Sequence, residues 1–122
     1  MPSPATLEKF IARVESNDHA GAIEDFYAED ASMRENLAEP RRGRSNLVEH
    51  ERRVLAKAAS VKSTCVRPVF VHGDHVVVRW IFEFTYADGR KTRMEELAYQ
   101  RWEGEKIAEE QFFYDPAQLK KV

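Results

Sequence analysis

The chain has 122 residues, the length of one domain of ordinary size. Hydrophobic residues make up 43% and aromatic residues 11%, which is enough for a core without disulfides and too much for a disordered or collagen-like chain. The 19 Lys and Arg against 21 Asp and Glu give a net charge of −2, so no basic field attracts nucleic acid and we expect no nucleic-acid partner.

Sequence features also indicate the cellular compartment of the protein. Cys65 is a single cysteine, so it cannot form an internal disulfide, and this fits a reducing compartment. The N-terminus lacks the basic and apolar pattern of a signal peptide, and no stretch approaches the ~20 apolar residues that cross a bilayer. We therefore expect a cytoplasmic protein with one domain over residues 1–122 and no membrane partner.

The first half of the sequence predicts helices. Ser3 before Pro4 is typical of a helix start, and Asp18 is typical of the cap of a second helix. The apolar residues that follow these starts recur at helical spacing: Leu7, Phe10, Ile11 and Val14, then Ala22, Ile23, Phe26 and Tyr27. A short strand is expected from Ala31 to Leu37. After the break at Pro40 and Gly43 we expect a third helix, capped by Ser45, whose buried stripe is Leu47, Val54, Leu55 and Ala58.

The second half of the sequence predicts strands, because β-branched and aromatic residues dominate and the period falls to two. Four strands are expected: Ser63 to His72, His75 to Tyr86, Arg90 to Trp102 and Glu105 to Asp115. Their short connections join antiparallel neighbours, and the two long middle strands must coil to stay compact. Helices followed by a meandering sheet predict an α+β fold, with three helices packed on a strongly bent antiparallel sheet.

The turns predict which side chains share a face. Gly89 suits a three-residue bulged turn that pairs Phe82 with Met94 and Trp80 with Glu96; a two-residue turn would instead place Trp80 beside Leu97. A three-residue loop through residues 103–105 adds three further residues to that face. We expect the helices to cover this face: Val78, Trp80, Phe82, Phe84, Met94, Glu96, Ala98, Gln100, Glu110, Phe112 and Tyr114.

The opposite face of the sheet is too apolar for a wetted surface and too charged for a core. It carries Arg79, Ile81, Glu83, Leu97, Tyr99, Arg101, Gln111 and Phe113. Such a mixture predicts a homodimer through this outer sheet face, and the alternative is an ordinary half-wetted sheet.

The order of elements resembles the nuclear-transport-factor-2-like, or SnoaL-like, α+β cone over nearly the whole chain. Four segments carry the resemblance: Asp25 to Ala31 leading into Met33 to Asn36, Pro40 to Gly43, Gly104 to Ile107, and Phe113 to Pro116. The resemblance implies a cone-shaped pocket between the helices and the concave sheet. It does not imply a reaction, since this fold hosts enzymes, binding modules and transport factors.

Chemically defined relatives in this superfamily are ketosteroid isomerase, the polyketide cyclases and the limonene epoxide hydrolases, whose pockets move protons with carboxylates or a histidine. The resemblance places Glu35 where the isomerase has its general base. Ala98 stands where the isomerase has an acidic hydrogen-bond donor, and the first helix lacks the isomerase's tyrosine. The resemblance therefore supports a base without implying ketosteroid isomerase activity.

The candidate catalytic residues are Glu35, Glu96, Glu110 and His50. A carboxylate in an apolar pocket has a raised pKa and can exchange protons at pH 7, and two carboxylates on one face favour one acid and one base. The alternatives are structural. Glu35 could form a rim ion pair with Arg34 or Arg44, Glu96 and Glu110 could pair with Arg67, and His50 could be a core histidine bonded to a backbone carbonyl.

The candidate ligand-binding residues are Tyr27, Met33, Asn36, Trp80, Phe82, Gln100, Phe112 and Tyr114, and the alternative for them is plain core packing. His72 and His75 flank a hairpin tip where side chains diverge, so no metal site is expected. His19 follows a helix cap and is expected in solvent. The arginines of residues 41–44 are expected in a solvated loop, although they could instead hold an anionic substrate at the pocket mouth.

These observations predict a small protein without a cofactor whose apolar pocket binds a small hydrophobic molecule. Carboxylate proton transfer would make it an isomerase, cyclase, dehydratase or epoxide hydrolase. One alternative is a non-catalytic binding module with the same pocket. Another is a dimeric scaffold whose own aromatic residues fill the pocket.

Overall fold

The structure, a computed structural model, describes residues 1–119, so the last three residues of the predicted domain lie outside it. Its helices are α1 (Pro4–Glu15), α2 (His19–Phe26) and α3 (Arg44–Ala56). The predicted N-terminal caps of α1 and α2 are confirmed. The Ser3 hydroxyl accepts a hydrogen bond from the Thr6 N–H at 3.1 Å, and the Asp18 carboxylate accepts one from the Gly21 N–H at 3.0 Å.

Helix α3 begins at Arg44, two residues earlier than a cap at Ser45 would allow. Gly43 precedes it with φ +91°, a left-handed conformation that suits glycine, and the Gly43 N–H donates to the Ala31 carbonyl at 2.8 Å. The prediction of a Ser45 cap is therefore wrong, because this turn fixes where the helix begins. The predicted buried stripe also changes, since Leu47 and Val48 are buried and Val54 is 36% exposed.

Six strands form one sheet: β1 (Tyr27–Glu35), β2 (Arg41–Arg42), β3 (Ser60–His72), β4 (His75–Thr85), β5 (Lys91–Glu103) and β6 (Lys106–Phe113). Their order in the sheet is β2-β1-β6-β5-β4-β3. The predicted α+β cone is confirmed. The sheet is mixed rather than wholly antiparallel, because β1 runs parallel to β6. A short 3-10 helix (Pro116–Leu119) follows β6.

Strand β1 begins at Tyr27, four residues before the predicted start at Ala31. Tyr27 has extended backbone angles, φ −105° and ψ 146°, so it ends α2 and does not belong to that helix's apolar face. Its side chain is buried in the core with 3% exposure. Part of the predicted loop at residues 41–44 is also strand, since Arg41 pairs with Met33 in the β1–β2 ladder.

The predicted register of β4 and β5 is confirmed. Trp80 lies opposite Glu96, and Phe82 lies opposite Met94. Gly89 has φ +86°, as the bulged turn requires. The side chains of Trp80 and Glu96 therefore share the face that the helices cover.

The predicted length of the loop between β5 and β6 is wrong by one residue. Glu103 pairs with Lys106, so the turn has two residues rather than three. A bulge then shifts the ladder before Gln100 pairs with Glu110. The shorter turn and the bulge each change the register by one residue. Because side chains alternate between the two faces, a total shift of two residues leaves Glu110 facing inward.

Arg67 does not lie beside Trp80, where a regular ladder would have placed it. The register shifts between Val66 and Phe70, around Pro68, which has no N–H for the ladder, and Cys65 pairs with Trp80 instead. The Arg67 guanidinium contacts the exposed Glu8 carboxylate at 2.6 Å. The alternative that Arg67 neutralises Glu96 or Glu110 is therefore wrong.

No helix within residues 1–119 is both long and apolar enough to span a membrane.

Candidate functional site

A cavity of about 130 Å³ lies between the three helices and the inner face of the sheet. This volume is close to the ~150 Å³ of an engineered apolar cavity that holds benzene. Aromatic side chains form much of its wall: Phe10, Tyr27, Trp80, Phe82, Phe84 and Phe112. Its ionisable lining groups are Glu35, Glu51, Glu96, Glu110, Arg41, His19 and His50. The cavity thus combines an apolar interior with several carboxyl groups.

Glu96 projects from β5 into this cavity and is only 8% exposed. Within residues 1–119, no side chain donates a hydrogen bond or an ion pair to its carboxyl group. Burial raises the pKa of Glu96 from 4.5 to about 8, and smaller contributions come from the negative charges of Glu110, Glu35 and Glu51. A carboxyl group with this pKa carries a proton in most molecules at pH 7.

Glu110 projects from β6 into the same cavity, and each of its carboxylate oxygen atoms accepts a hydrogen bond. The Tyr27 hydroxyl donates a short hydrogen bond to Glu110 Oε1, and Gln100 Nε2 donates to Oε2 at 2.6 Å. Trp102 Nε1 donates to Gln100 Oε1 at 2.9 Å, which fixes the direction of the Gln100 amide. Burial raises the pKa of Glu110 to about 7 although both donors oppose the rise. Glu110 is therefore anchored, whereas Glu96 is not.

Replacing Tyr27 with phenylalanine should destabilise the fold more at pH 8 than at pH 5. The change removes a donor from a buried carboxylate, and an unsatisfied buried group of this kind costs about 1–3 kcal/mol. The cost is largest when Glu110 is ionised, above its pKa of about 7. Urea denaturation at both pH values measures the effect. Tyr86→Phe, whose hydroxyl pairs with the Thr92 hydroxyl rather than with a carboxylate, is the control, and an equal loss at both pH values would contradict the prediction.

Glu35 lies at the rim of the cavity near the end of β1, and its side chain is 39% exposed. Arg41 Nη2 donates to Glu35 Oε2 at 3.1 Å, and the Tyr114 hydroxyl donates to Oε1 at 3.3 Å. The expected rim ion pair is thus present, but Arg41 supplies it rather than Arg34 or Arg44. Arg44 instead donates to the Tyr27 carbonyl at 3.2 Å.

His50 projects from α3 into the cavity and is half-buried. Burial and, to a smaller extent, the positive charge of Arg41 lower the pKa of His50 from 6.5. The imidazole is therefore mostly neutral at pH 7 and can accept a proton.

His19 lines the cavity, so the prediction that it lies in solvent is wrong. It is 8% exposed rather than solvated, its Nε2 lies 2.7 Å from Ser63 Oγ, and its Nδ1 lies 3.3 Å from Glu51 Oε1. The helical spacing could have predicted this inward position, because His19 precedes Ala22 and Ile23 by three and four residues and shares their helix face. Glu51 likewise follows Leu47 by four residues on α3.

Three of the predicted ligand-binding residues do not line the cavity. Gln100 is fully buried behind Glu110, whose carboxylate it holds. Asn36 adopts φ +49° at the end of β1, and its side chain accepts a hydrogen bond from the Tyr114 N–H at 3.0 Å. Tyr114 reaches the site only through Glu35. The other five predicted residues line the cavity: Tyr27, Met33, Trp80, Phe82 and Phe112.

Several solved structures share the fold of this chain over most of its length. A protein from Mesorhizobium loti assigned to the SnoaL-like polyketide cyclases is 23% identical, with a TM-score of 0.75 over 90% of this chain and 97% of that chain. A ketosteroid isomerase-like protein from Catenulispora acidiphila, solved in complex with trimethylamine, is 18% identical, with a TM-score of 0.77 over 95% and 89%. TerC, co-crystallised with polyporic acid, is 16% identical, with a TM-score of 0.78 over 94% and 92%.

These identities show a shared fold, and none of the curated proteins matches the sequence significantly. The model of the SnoaL-like domain family matches residues 7–110, which includes every element from α1 to most of β6. The chain therefore belongs to the SnoaL-like family.

Proposed function

We propose that the cavity binds a small, largely apolar organic molecule and that its carboxyl groups transfer a proton to or from this molecule without a cofactor. The observation that carries the proposal is Glu96, a buried carboxyl group without a partner that faces an aromatic cavity. Because its pKa is about 8, Glu96 holds a proton at pH 7 that it can give to an oxygen atom of the ligand.

Two candidate proton acceptors line the same cavity. His50 is mostly neutral at pH 7, because its pKa is lowered, and the Glu35 carboxylate lies at the rim. While Glu96 protonates a ligand oxygen, either group could take a proton from an adjacent carbon or from an attacking water. An acid and a base whose pKa values are displaced in opposite directions suit isomerisation, cyclisation, dehydration or epoxide hydrolysis.

Two minimal reactions test the proposal. The first is exchange of the α-hydrogens of cyclohexanone for deuterium in D₂O, and the second is hydration of cyclohexene oxide, both followed by NMR. We expect the protein to accelerate at least one of them above acetate and imidazole at the same concentration. Rates equal to those of the free acid and base in both reactions would count against proton-transfer catalysis.

Ligand binding without catalysis is the second candidate, and the contacts of Glu35 favour it. Both of its oxygen atoms already accept hydrogen bonds, from Arg41 and Tyr114. Catalysis predicts that Glu35→Gln slows turnover and leaves binding nearly unchanged. A binding module predicts no turnover, and an affinity that falls for Trp80→Ala and barely changes for Glu35→Gln, as measured by calorimetry.

We also propose that two copies of the chain pair through the outer sheet face. Three hydrophobic residues of that face are well exposed: Leu97 at 45%, Tyr99 at 45% and Phe113 at 41%. Ion pairs flank them, as between Arg101 and Glu109 at 2.9 Å. An apolar centre with a charged rim is typical of a subunit interface.

Leu97→Arg should convert this dimer to a monomer, because it places a charge at the centre of the interface without a partner. Sedimentation equilibrium measures the change as a halving of the mass. Leu37→Arg is the control, since Leu37 is 80% exposed in the loop after β1. A wild-type chain that sediments as a monomer would contradict the proposal.

A further inference from the structure

The charges that line the cavity do not balance. Four lining residues are glutamates, and Arg41 is the one lysine or arginine that lines the cavity in the described part of the chain. Arg41 is already paired with Glu35, and His19 contacts Glu51. Glu96 and Glu110 are left with no cationic partner within residues 1–119. The inner end of the cavity therefore lacks positive charge.

Glu96 is the lining glutamate that this excess of negative charge leaves without any partner among residues 1–119. Glu110 accepts two hydrogen bonds, but Glu96 accepts none from residues 1–119 although 92% of its surface is buried. Buried polar groups in folded proteins are nearly always partnered. An unpartnered carboxyl group that faces an open volume indicates that the partner is a ligand.

The wall next to Glu96 also favours a cation. Trp80 lies directly opposite Glu96 in the β4–β5 ladder, and the rings of Trp80 and Phe82 are stacked with centroids 5.6 Å apart. Aromatic faces attract ammonium groups, and they do so more strongly where water is excluded. Serine, threonine, asparagine and glutamine, which usually orient neutral polar ligands, are absent from the lining within residues 1–119.

We propose that the ligand of this cavity carries an alkylammonium group, which lies between the Glu96 carboxylate and the Trp80 and Phe82 rings. This inference rests on the proposed function, because it requires the cavity to be the ligand site. A cation is attracted by Glu96 once that group is ionised and by the nearby Glu110 carboxyl group, whereas a neutral ligand gains no such attraction. An anion would be repelled, since Arg41 is already neutralised by Glu35.

Such a ligand must compete with the proton on Glu96. With a pKa of about 8 in the free protein, the carboxyl group has to lose this proton before it can pair with an ammonium ion. In the complex with a cation Glu96 would be ionised, so it would bind the ammonium group as its counter-charge, and the proton donation proposed above applies to neutral molecules. The other charged or titratable groups that face the cavity are His19 on α2, His50 and Glu51 on α3, Tyr27 and Glu35 on β1, Arg41 on β2 and Glu110 on β6.

Choline and 3,3-dimethylbutan-1-ol test the inference, because they have the same shape and differ only in charge. At pH 8.5 we expect choline to bind at least tenfold more tightly than the alcohol, as measured by calorimetry or NMR titration. Between pH 8 and pH 6 the affinity for choline should fall by about fiftyfold, since the ionised fraction of Glu96 falls from about one half to about one hundredth.

Two variants separate charge from shape. Glu96→Gln should weaken choline binding at least tenfold and leave binding of the alcohol within about twofold. Glu83→Gln removes one charge from the exposed side of neighbouring β4, so it should change neither affinity. If Glu96→Gln does not fold, the pH dependence of choline binding to the wild-type chain is the deciding measurement.

Each result has a distinct meaning. If the alcohol binds as tightly as choline, the ammonium inference fails and the proposed ligand site stands. If neither probe binds at millimolar concentration, the inference and the ligand site fail together. An affinity for choline that does not depend on pH or on Glu96 would overturn the inference even if choline binds. Proton-transfer catalysis is tested separately, by the exchange and hydration reactions.

Discussion

Replacing Glu96 with glutamine should slow proton transfer to or from a bound molecule by at least about 100-fold at pH 7. A positioned acid or base contributes about 10²–10⁴-fold to a rate, and glutamine keeps the shape of the side chain but can neither give nor take this proton. The effect should exceed that of any other single substitution in the cavity, because Glu96 is the lining carboxyl group that accepts neither a hydrogen bond nor an ion pair from residues 1–119. Rates of deuterium exchange into cyclohexanone, or of epoxide hydration, measure it.

The pH dependence of the same rates provides an independent check. Acid catalysis by Glu96 on a neutral molecule should decline above pH 8, where the group loses its proton. Glu83→Gln, the same substitution on the exposed side of β4, should retain the wild-type rate and profile. A Glu96→Gln variant that keeps more than a third of the wild-type rate would exclude Glu96 as the proton donor.

The free energy of unfolding should fall as the pH rises from 5 to 9, by on the order of 4 kcal/mol from Glu96 alone. Burial raises the pKa of Glu96 from 4.5 to about 8, so the unfolded chain loses this proton at lower pH than the folded chain does. The stabilisation is complete below pH 4.5 and is lost progressively up to pH 8. Glu110, with a pKa of about 7, adds a loss in the same direction over a narrower range.

Urea denaturation at pH 5, 7 and 9 measures this loss in the wild-type chain and in Glu96→Gln. Glutamine does not ionise, so the variant should show a shallower pH dependence and should be more stable than the wild type at pH 9. Glu83→Gln should follow the wild-type curve. Parallel curves for the wild type and Glu96→Gln would show that Glu96 ionises normally in the folded state.

The inward position of Glu96 could be predicted because it depends on one turn. Gly89 supplies the left-handed residue of the bulged turn, and every pair along β4 and β5 follows from it. The inward position of Glu110 was predicted from a loop with the wrong length. Glu110 still faces inward because the shorter turn and the bulge in β6 each move the register by one residue, and a total shift of two residues restores the original face.

The partners of the carboxyl groups were not predictable in the same way. Tyr27 is 83 residues from Glu110 in sequence, and His19 is 44 residues from Ser63. No local pattern encodes either pair, because each depends on how β1 and α2 pack against distant strands. Arg67, the partner expected for Glu96, was displaced by an irregularity around Pro68.

The α+β class, the caps of α1 and α2, the strand pairs around Gly89 and the face on which the acidic residues lie could all be predicted from the amino-acid sequence. These features follow from backbone geometry and side-chain periodicity, which act over a few residues. The packed fold was needed to show that Glu96 is unpartnered within residues 1–119, that Glu110 is anchored and that Arg41 binds Glu35 at the rim. Depth, hydration and charge neutralisation depend on which distant elements cover a residue, and no single segment contains that information.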